Sequence, residues 1–210
     1  MDLKKSKKVL RAKVNAIILA GGKNSRMAGE DKAFLEIEGK PIIALLITKL
    51  KALVNEIIVV TNNPEKYDDY KVQLVKDESL GLGPLMGIYS GLKASSAKYN
   101  FVIACDMPFF NKAFARYIIE HKDTYDAVVP KIDDVVHPLC ALYSTDCIPV
   151  IEKMLRQNRR EVRSIFPEIN VRFLAKQEIE KFDKNLLSLL NINTKDDFAK
   201  ARAIRLNSCL

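Results

Sequence analysis

The 210-residue sequence predicts an α/β fold, a three-layer αβα sandwich around a mostly parallel sheet. Two observations carry this. Short apolar runs rich in β-branched residues alternate with longer stretches of helical period, and the alternation runs through most of the chain without a Pro/Gly/Ser-rich linker or an internal repeat. Residues 14–20 (VNAIILA) read as a buried first strand. Residues 42–54 follow as a helix, with Ile42, Leu46, Leu50 and Leu53 on one stripe and Pro41 starting it. Residues 55–61 and 72–75 are the next strands, 85–97 a helix, 101–105 a buried strand and 112–121 the helix after it. Residues 127–130 and 139–143 add two strands. The remainder reads as a helix over 148–157, a basic helix over 159–166, a strand over 171–175 and a last helix over 195–205. The expected organisation is a basic leader, 1–13, and one domain, 14–210.

Composition removes several classes. Aromatic residues at 8%, eight glycines and eight prolines exclude collagen-like and disordered chains. The longest apolar run, 41–47, is far below the roughly 18 residues of a membrane span, so no membrane association is expected. Residues 1–13 hold six basic side chains against Asp2 and so carry most of the formal charge of +8. A frayed, solvated leader is therefore expected, and not a nucleic-acid stripe. The apolar stretch after it is shorter than the roughly 7 residues of a signal-peptide core. Four cysteines without a C-x-x-C pair point to reduced thiols and a cytoplasmic setting.

All eight glycines lie before residue 92, in two groups. Loops at the carboxyl ends of strands in an open α/β sheet bind ligands, so the first half of the chain, about 14–110, is expected to hold one. The first strand runs into Gly21-Gly22-Lys23-Asn24-Ser25-Arg26, with Lys32 ten residues after Gly22. Glycine amides with fixed cations suit a polyphosphate: the backbone forms an anion nest, and Arg26 and Lys32 neutralise what the amides cannot. The spelling matches neither G-x-G-x-x-G nor G-x-x-x-x-G-K-[ST]. Asp106, in Cys105-Asp106-Met107-Pro108, places a carboxylate at the end of a buried strand. Such a carboxylate suits Mg²⁺, which takes one or two carboxylates plus phosphate oxygens; a helix N-cap is the alternative role.

With these residues in view, the sequence resembles the molybdenum cofactor guanylyltransferases, a branch of the nucleotidyltransferases with a Rossmann-like fold. LAGGKNSRMAGEDKAFLEIEGKPI is similar to the family's L-A-G-G-x-S-x-R-M-G-x-D-K signature and its G-K-P turn. GPLMGI (83–88), CDMP (105–108), HPLCALY (137–143) and NINTKDD (191–197) follow in the family's order. The resemblance implies that Leu19, Ala20, Gly21 and Gly22 wrap GTP, that Lys32 contacts it, that Asp77 contacts the nucleotide, and that Asp106 is shared by nucleotide and Mg²⁺. A family asparagine falls at Thr61, with Asn62 or Asn63 as its replacement. Ala28 stands where the family has glycine.

The implied reaction transfers GMP from GTP to the phosphate of molybdopterin and releases pyrophosphate. Its implied catalytic set is Arg26, Lys32 and Asp106, its cofactor Mg²⁺, and its partners molybdopterin and enzymes that carry or accept the molybdenum cofactor. The second half, about 111–210, would face the pterin. His137 is expected to line that side, and Arg156, Arg159, Arg160 and Arg163, at helical spacing, offer a face for the pterin phosphate. A molybdopterin cytidylyltransferase and a non-catalytic nucleotide-binding delivery protein are the competing readings.

Overall fold

The computed structural model describes residues 13–21, 31–77, 82–194 and 197–199. The leader, apart from Lys13, lies outside them, as does most of the helix expected over 195–205. At its centre is β1 (Val14–Leu19), six buried residues that alternate between the two faces of the sheet. Ala16 and Ile18 enter one core and Ile17 and Leu19 the other, as expected of a strand covered on both sides. Each fully buried isoleucine contributes about 2 kcal/mol by leaving water.

After the turn at Lys32–Phe34, β2 (Glu36–Ile37) and β3 (Lys40–Pro41) form a small antiparallel hairpin that leads into α1 (Ile42–Leu50). The helix buries Ile42, Ile43, Leu46, Ile47 and Leu50. It stops four residues short of the expected end because the chain must turn back to the sheet. Leu53 and Val54 bond to the Leu50 carbonyl, and the Asn55 amide reaches the Val14 carbonyl at 2.8 Å. Then come β4 (Ile57–Val60), β5 (Gln73–Val75), α2 (Pro84–Ala94), β6 (Tyr99–Ala104) and α3 (Lys112–Glu120). Helix α2 ends at Ala94, where Ser95 Oγ accepts the Ala97 amide and begins the turn into β6. Asn111, not Asp106, caps α3: its Oδ1 accepts from the amides of Ala113 and Phe114.

The last third contributes β7 (Ala127–Ile132), β8 (Val135–Val136), β9 (Cys140–Ser144), α4 (Ile148–Arg156), β10 (Val171–Leu174) and the short α5 (Lys176–Glu180). The basic helix expected over 159–166 does not form. After α4, Asn158 takes a left-handed conformation, and Val162–Glu168 is a 3₁₀ turn with Pro167 inside it. A proline without an N–H cannot extend an α-helix there. Arg156, Arg159, Arg160 and Arg163 thus share no helical face, and that expectation is corrected.

Strand order across the sheet is β10-β7-β9-β6-β1-β4-β5, with β8 paired to β7. Strand β9 runs antiparallel to both β6 and β7, and every other pairing along that order is parallel. Helices α1 and α3 pack on one face and α2 and α4 on the other, which completes the expected three layers. Close packing of α2 on β1 explains one glycine: a Cβ at Gly91 would lie 2.6 Å from Ile17 Cγ2, on a side chain with no freedom to move.

The chain leaves β1 toward β4 on one side and returns to β6 on the other. This reversal is the place where an open α/β sheet leaves a crevice beyond its carboxyl edge. Leu19 and Cys105 meet there, the Cys105 amide donating to the Leu19 carbonyl at 3.0 Å.

Candidate active site

Two clusters flank the end of β1. On one side stand Lys32, Asp106 and Asn193. Lys32 opens a 3₁₀ turn held by Asp31, whose Oδ1 accepts the Ala33 amide at 3.2 Å. Lys66 lies 3.6 Å from the other carboxylate oxygen of Asp31 and holds it from outside. The Lys32 ammonium reaches Asp106 Oδ2 at 3.4 Å and Asn193 Oδ1 at 2.8 Å. Asp106 follows β6 in a turn, and its main-chain carbonyl accepts the Ile192 amide at 2.8 Å. Burial pushes the Asp106 carboxyl above the ordinary carboxylate range, and the Lys32 charge pulls it part of the way back. The neighbouring Cys105 thiol is pushed far upward, by burial first and then by the Asp106 charge, so it stays protonated and unreactive.

Asp106 Oδ1 is buried and has no hydrogen-bond partner among the described residues. A buried carboxylate oxygen without a donor is costly, and a hard cation would satisfy it. No group of three or more His, Cys, Asp or Glu side chains gathers among the described residues. One such carboxylate oxygen fits Mg²⁺ completed by substrate phosphates.

On the other side stand Gly21, Asn62, Asp77 and Gly87. A Cβ at Gly21 would lie 3.6 Å from Asp77 Oδ2 and 3.8 Å from Asn62 Nδ2, and one at Gly87 would lie 3.1 Å from Leu19 Cδ2 and 3.6 Å from Asp77 Oδ1. The two glycines thus leave room around the Asp77 carboxylate. Asp77 Oδ1 and Asn62 Oδ1 are both buried without a partner among the described residues. A pair of waiting acceptors suits the N–H groups of a base or the hydroxyls of a ribose.

Burial raises the Asp77 carboxyl from the ordinary 3.8. The folded protein then binds this proton more tightly than the unfolded chain does, and stability falls as pH rises from the unfolded value through the folded one. Asp77→Asn removes that slope. The variant is expected to melt about 2–4 °C higher than the parent at pH 7, roughly 1 kcal/mol in a domain of this size. Below pH 4 the two curves converge, which scanning calorimetry across pH checks.

The structure brings Leu19, Ala20, Gly21, Lys32, Asp77 and Asp106 to one edge of the sheet. Gly22 and Arg26 lie outside the described residues. Thr61 is buried, and its Oγ1 accepts the Asn63 amide at 3.2 Å. Asn62, one residue on, is the side chain beside Gly21. His137 begins the approach to β9 at the same edge, half buried; burial lowers its pKa and keeps it neutral near pH 7. Arg160 is drawn to the start of α2. Its carbonyl lies 3.6 Å from where a Cβ on Gly83 would stand, and Gly83 itself has φ 77°, a conformation that favours glycine.

Of the side chains at this edge, Asn62 is one of the two replacements named for Thr61, whereas Asn193 was given no role by its motif. The signal for Asn193 was the NINTKDD string, quoted for its order in the chain without a function for its second asparagine.

Residues 16–172 match the family model described as the MobA-like NTP transferase domain. A protein of Desulfosudis oleivorans named "Molybdenum cofactor guanylyltransferase" is 36% identical over 191 residues, covering 90% of this chain and 95% of its own length. One of Clostridium perfringens named "Probable molybdenum cofactor guanylyltransferase" is 38% identical over 188 residues, covering 89% and 94%. Among solved structures, molybdopterin-guanine dinucleotide biosynthesis protein A from Archaeoglobus fulgidus superposes with a TM-score of 0.80 at 27% identity, covering 92% of this chain and 99% of its own. With the family model matched over residues 16–172 and relatives matched along nearly their whole length, the chain belongs to the MobA-like NTP transferase family.

Proposed function

We propose that the protein transfers GMP from GTP to the terminal phosphate of molybdopterin. The observation that carries this reading is the buried, unpartnered oxygen of Asp106 beside the Lys32 ammonium, next to the acceptor pair of Asp77 and Asn62. A phosphate oxygen of the pterin forms a new bond to the α-phosphorus of GTP, the bond from that phosphorus to the bridging oxygen breaks, and pyrophosphate leaves with the electron pair. The nucleophile has a second pKa of about 6 and is already ionised near neutral pH, so no side chain has to remove a proton.

What remains for the chain is positioning and charge. Lys32 stabilises charge on the α-phosphate and the departing pyrophosphate. Arg26, four residues after Gly22 in the sequence, is assigned the same role. Leu19, Ala20, Gly21 and Gly22 hold the nucleotide against the end of β1. Asp77 and Asn62 accept from its base and ribose, with Asn62 taking the place first assigned to Thr61. Asp106 would hold Mg²⁺, which supplies charge neutralisation across the phosphates when bound.

Residues up to about 110 serve the nucleotide, and those from about 111 to 210 face the pterin within the same domain. Enzymes that carry or accept the cofactor are the proposed partners. The cytoplasm is the proposed setting; no helix among the described residues is long and apolar enough to cross a membrane, and Cys105, Cys140 and Cys147 are free thiols.

The test is pyrophosphate release by the purified protein with Mg²⁺, molybdopterin and each nucleoside triphosphate in turn. Release with GTP alone is expected. Release with CTP alone would assign the protein to cytidylyl transfer, and tight GTP binding without release would make it a delivery protein.

A further inference from the structure

Lys32 stands on a short turn near the start of the domain, and one of its two acceptors comes from 161 residues further along the chain. A lysine side chain has four rotatable bonds and much rotamer freedom, so its ammonium stays at one point only if its acceptors are themselves fixed. Asp106 is one acceptor, yet it is also the carboxylate assigned to the cation in the reading above. Once it serves a cation, it attracts Lys32 less. Asn193 is neutral: it holds the ammonium by a 2.8 Å hydrogen bond without cancelling its charge. The acceptor suited to hold Lys32 during the reaction is therefore the amide.

The backbone around Asn193 is tied from both directions. On one side the Ile192 amide donates to the Asp106 carbonyl at 2.8 Å, and the Ile192 side chain is fully buried. On the other, Asp197 Oδ2 accepts the Asn193 amide at 3.0 Å and the Thr194 amide at 2.9 Å. Thr194 Oγ1 in return accepts the Asp197 amide at 3.0 Å. This reciprocal pairing of an N-cap hydroxyl with a carboxylate three residues later is a capping box. It starts the helical turn seen at 197–199 and holds the backbone of Asn193 at the mouth of the site.

We infer that Asp197 and Thr194 are positioning residues for the active-site lysine, their reciprocal cap fixing Asn193 so that its carbonyl oxygen keeps the Lys32 ammonium in place. Neither side chain has a described contact with Lys32, and both act through Asn193. The inference rests on the proposed reading for what Lys32 does to substrate, but not for where Lys32 is held.

The test is trace acetylation of the full-length protein with acetic anhydride, without nucleotide, and mass spectrometry of the Lys32 peptide relative to the other lysines of the same sample. Asn193→Ala, Asp197→Ala and Thr194→Val are each expected to speed labelling of Lys32 about fivefold, the population factor of one lost cap or hydrogen bond. Labelling of Lys49, whose ammonium donates to the Pro108 and Phe110 carbonyls at 2.8 and 3.1 Å, should stay level, which a general loosening of the fold would not allow. Asp197→Glu, which keeps a carboxylate three residues after Thr194, should restore slow labelling.

In the pyrophosphate assay, Asp197→Ala and Thr194→Val should lower kcat about fivefold with KM for GTP within about twofold. Fast labelling in Asn193→Ala together with wild-type labelling in both cap variants would overturn the inference, and so would wild-type labelling in all three. If Asp197→Ala fails to fold, Thr194→Val decides the matter alone. Absence of guanylyl transfer in the parent protein with the expected labelling pattern would remove the proposed function and leave the positioning role standing.

Discussion

Asp106→Ala is expected to lower GTP-dependent pyrophosphate release about a thousandfold, or roughly 4 kcal/mol of transition-state stabilisation. Two losses combine. The site loses the carboxylate with the buried, unpartnered oxygen, and with it the oxygen ligand assigned to the cation. Lys32 loses the charged member of its two acceptors and keeps Asn193. Asp106→Asn separates these effects: it preserves shape and a hydrogen-bond acceptor for Lys32 but removes the charge. Equal loss in both variants assigns the effect to the cation, whereas a much milder loss in Asp106→Asn assigns it to Lys32. Single-turnover pyrophosphate release at saturating Mg²⁺ is the measurement, with circular dichroism to confirm folding. Activity within tenfold of the parent in Asp106→Ala would sink the assigned metal role.

Lys32→Met is expected to lower kcat about a hundredfold with a smaller effect on GTP affinity. Methionine keeps most of the apolar stem and removes only the charge proposed to act on the α-phosphate. The pH profile supplies an independent check. Lys32 pulls the Asp106 carboxyl downward against the effect of burial. Without Lys32 that carboxyl titrates at higher pH, and a greater share of it is protonated at any pH in the window. The acid limb of kcat/KM in Lys32→Met should therefore move toward neutral pH relative to the parent. An unchanged acid limb with a hundredfold loss would mean that another group titrates in that limb.

The resemblance leaves the family asparagine's place open among Thr61, Asn62 and Asn63, and the structure sends the first two to different sides. Alternation of period two carries the buried Thr61 to the side of Val59, where its hydroxyl accepts from the Asn63 amide. Asn62 falls on the side of Gly21 and Asp77. A motif marks a position, but the pleat decides which face that position shows, and one residue reverses it. The arginines after α4 teach a related lesson. Their helical spacing holds only while the chain is helical, and Asn158 and Pro167 end that condition.

Legible from the amino-acid order alone were the seven strands lined up from β10 to β5, though not the short β2, β3 and β8, the helices on the first half of the chain, the gathering of glycine into two groups and the carboxylate at the end of a buried strand. Each of these depends on neighbours within a few residues: the alternation of apolar side chains, the prolines at helix starts, the run of β-branched residues ahead of Asp106. Long-range packing set the rest: Lys32 meets Asp106 across 74 residues and Asn193 across 161, β9 enters antiparallel, and Gly21 and Gly87 open space on either side of Asp77. These contacts follow from the order in which strands line up around β1, and that order is set by how two whole faces of the sheet are buried at once. No short window of sequence holds that information.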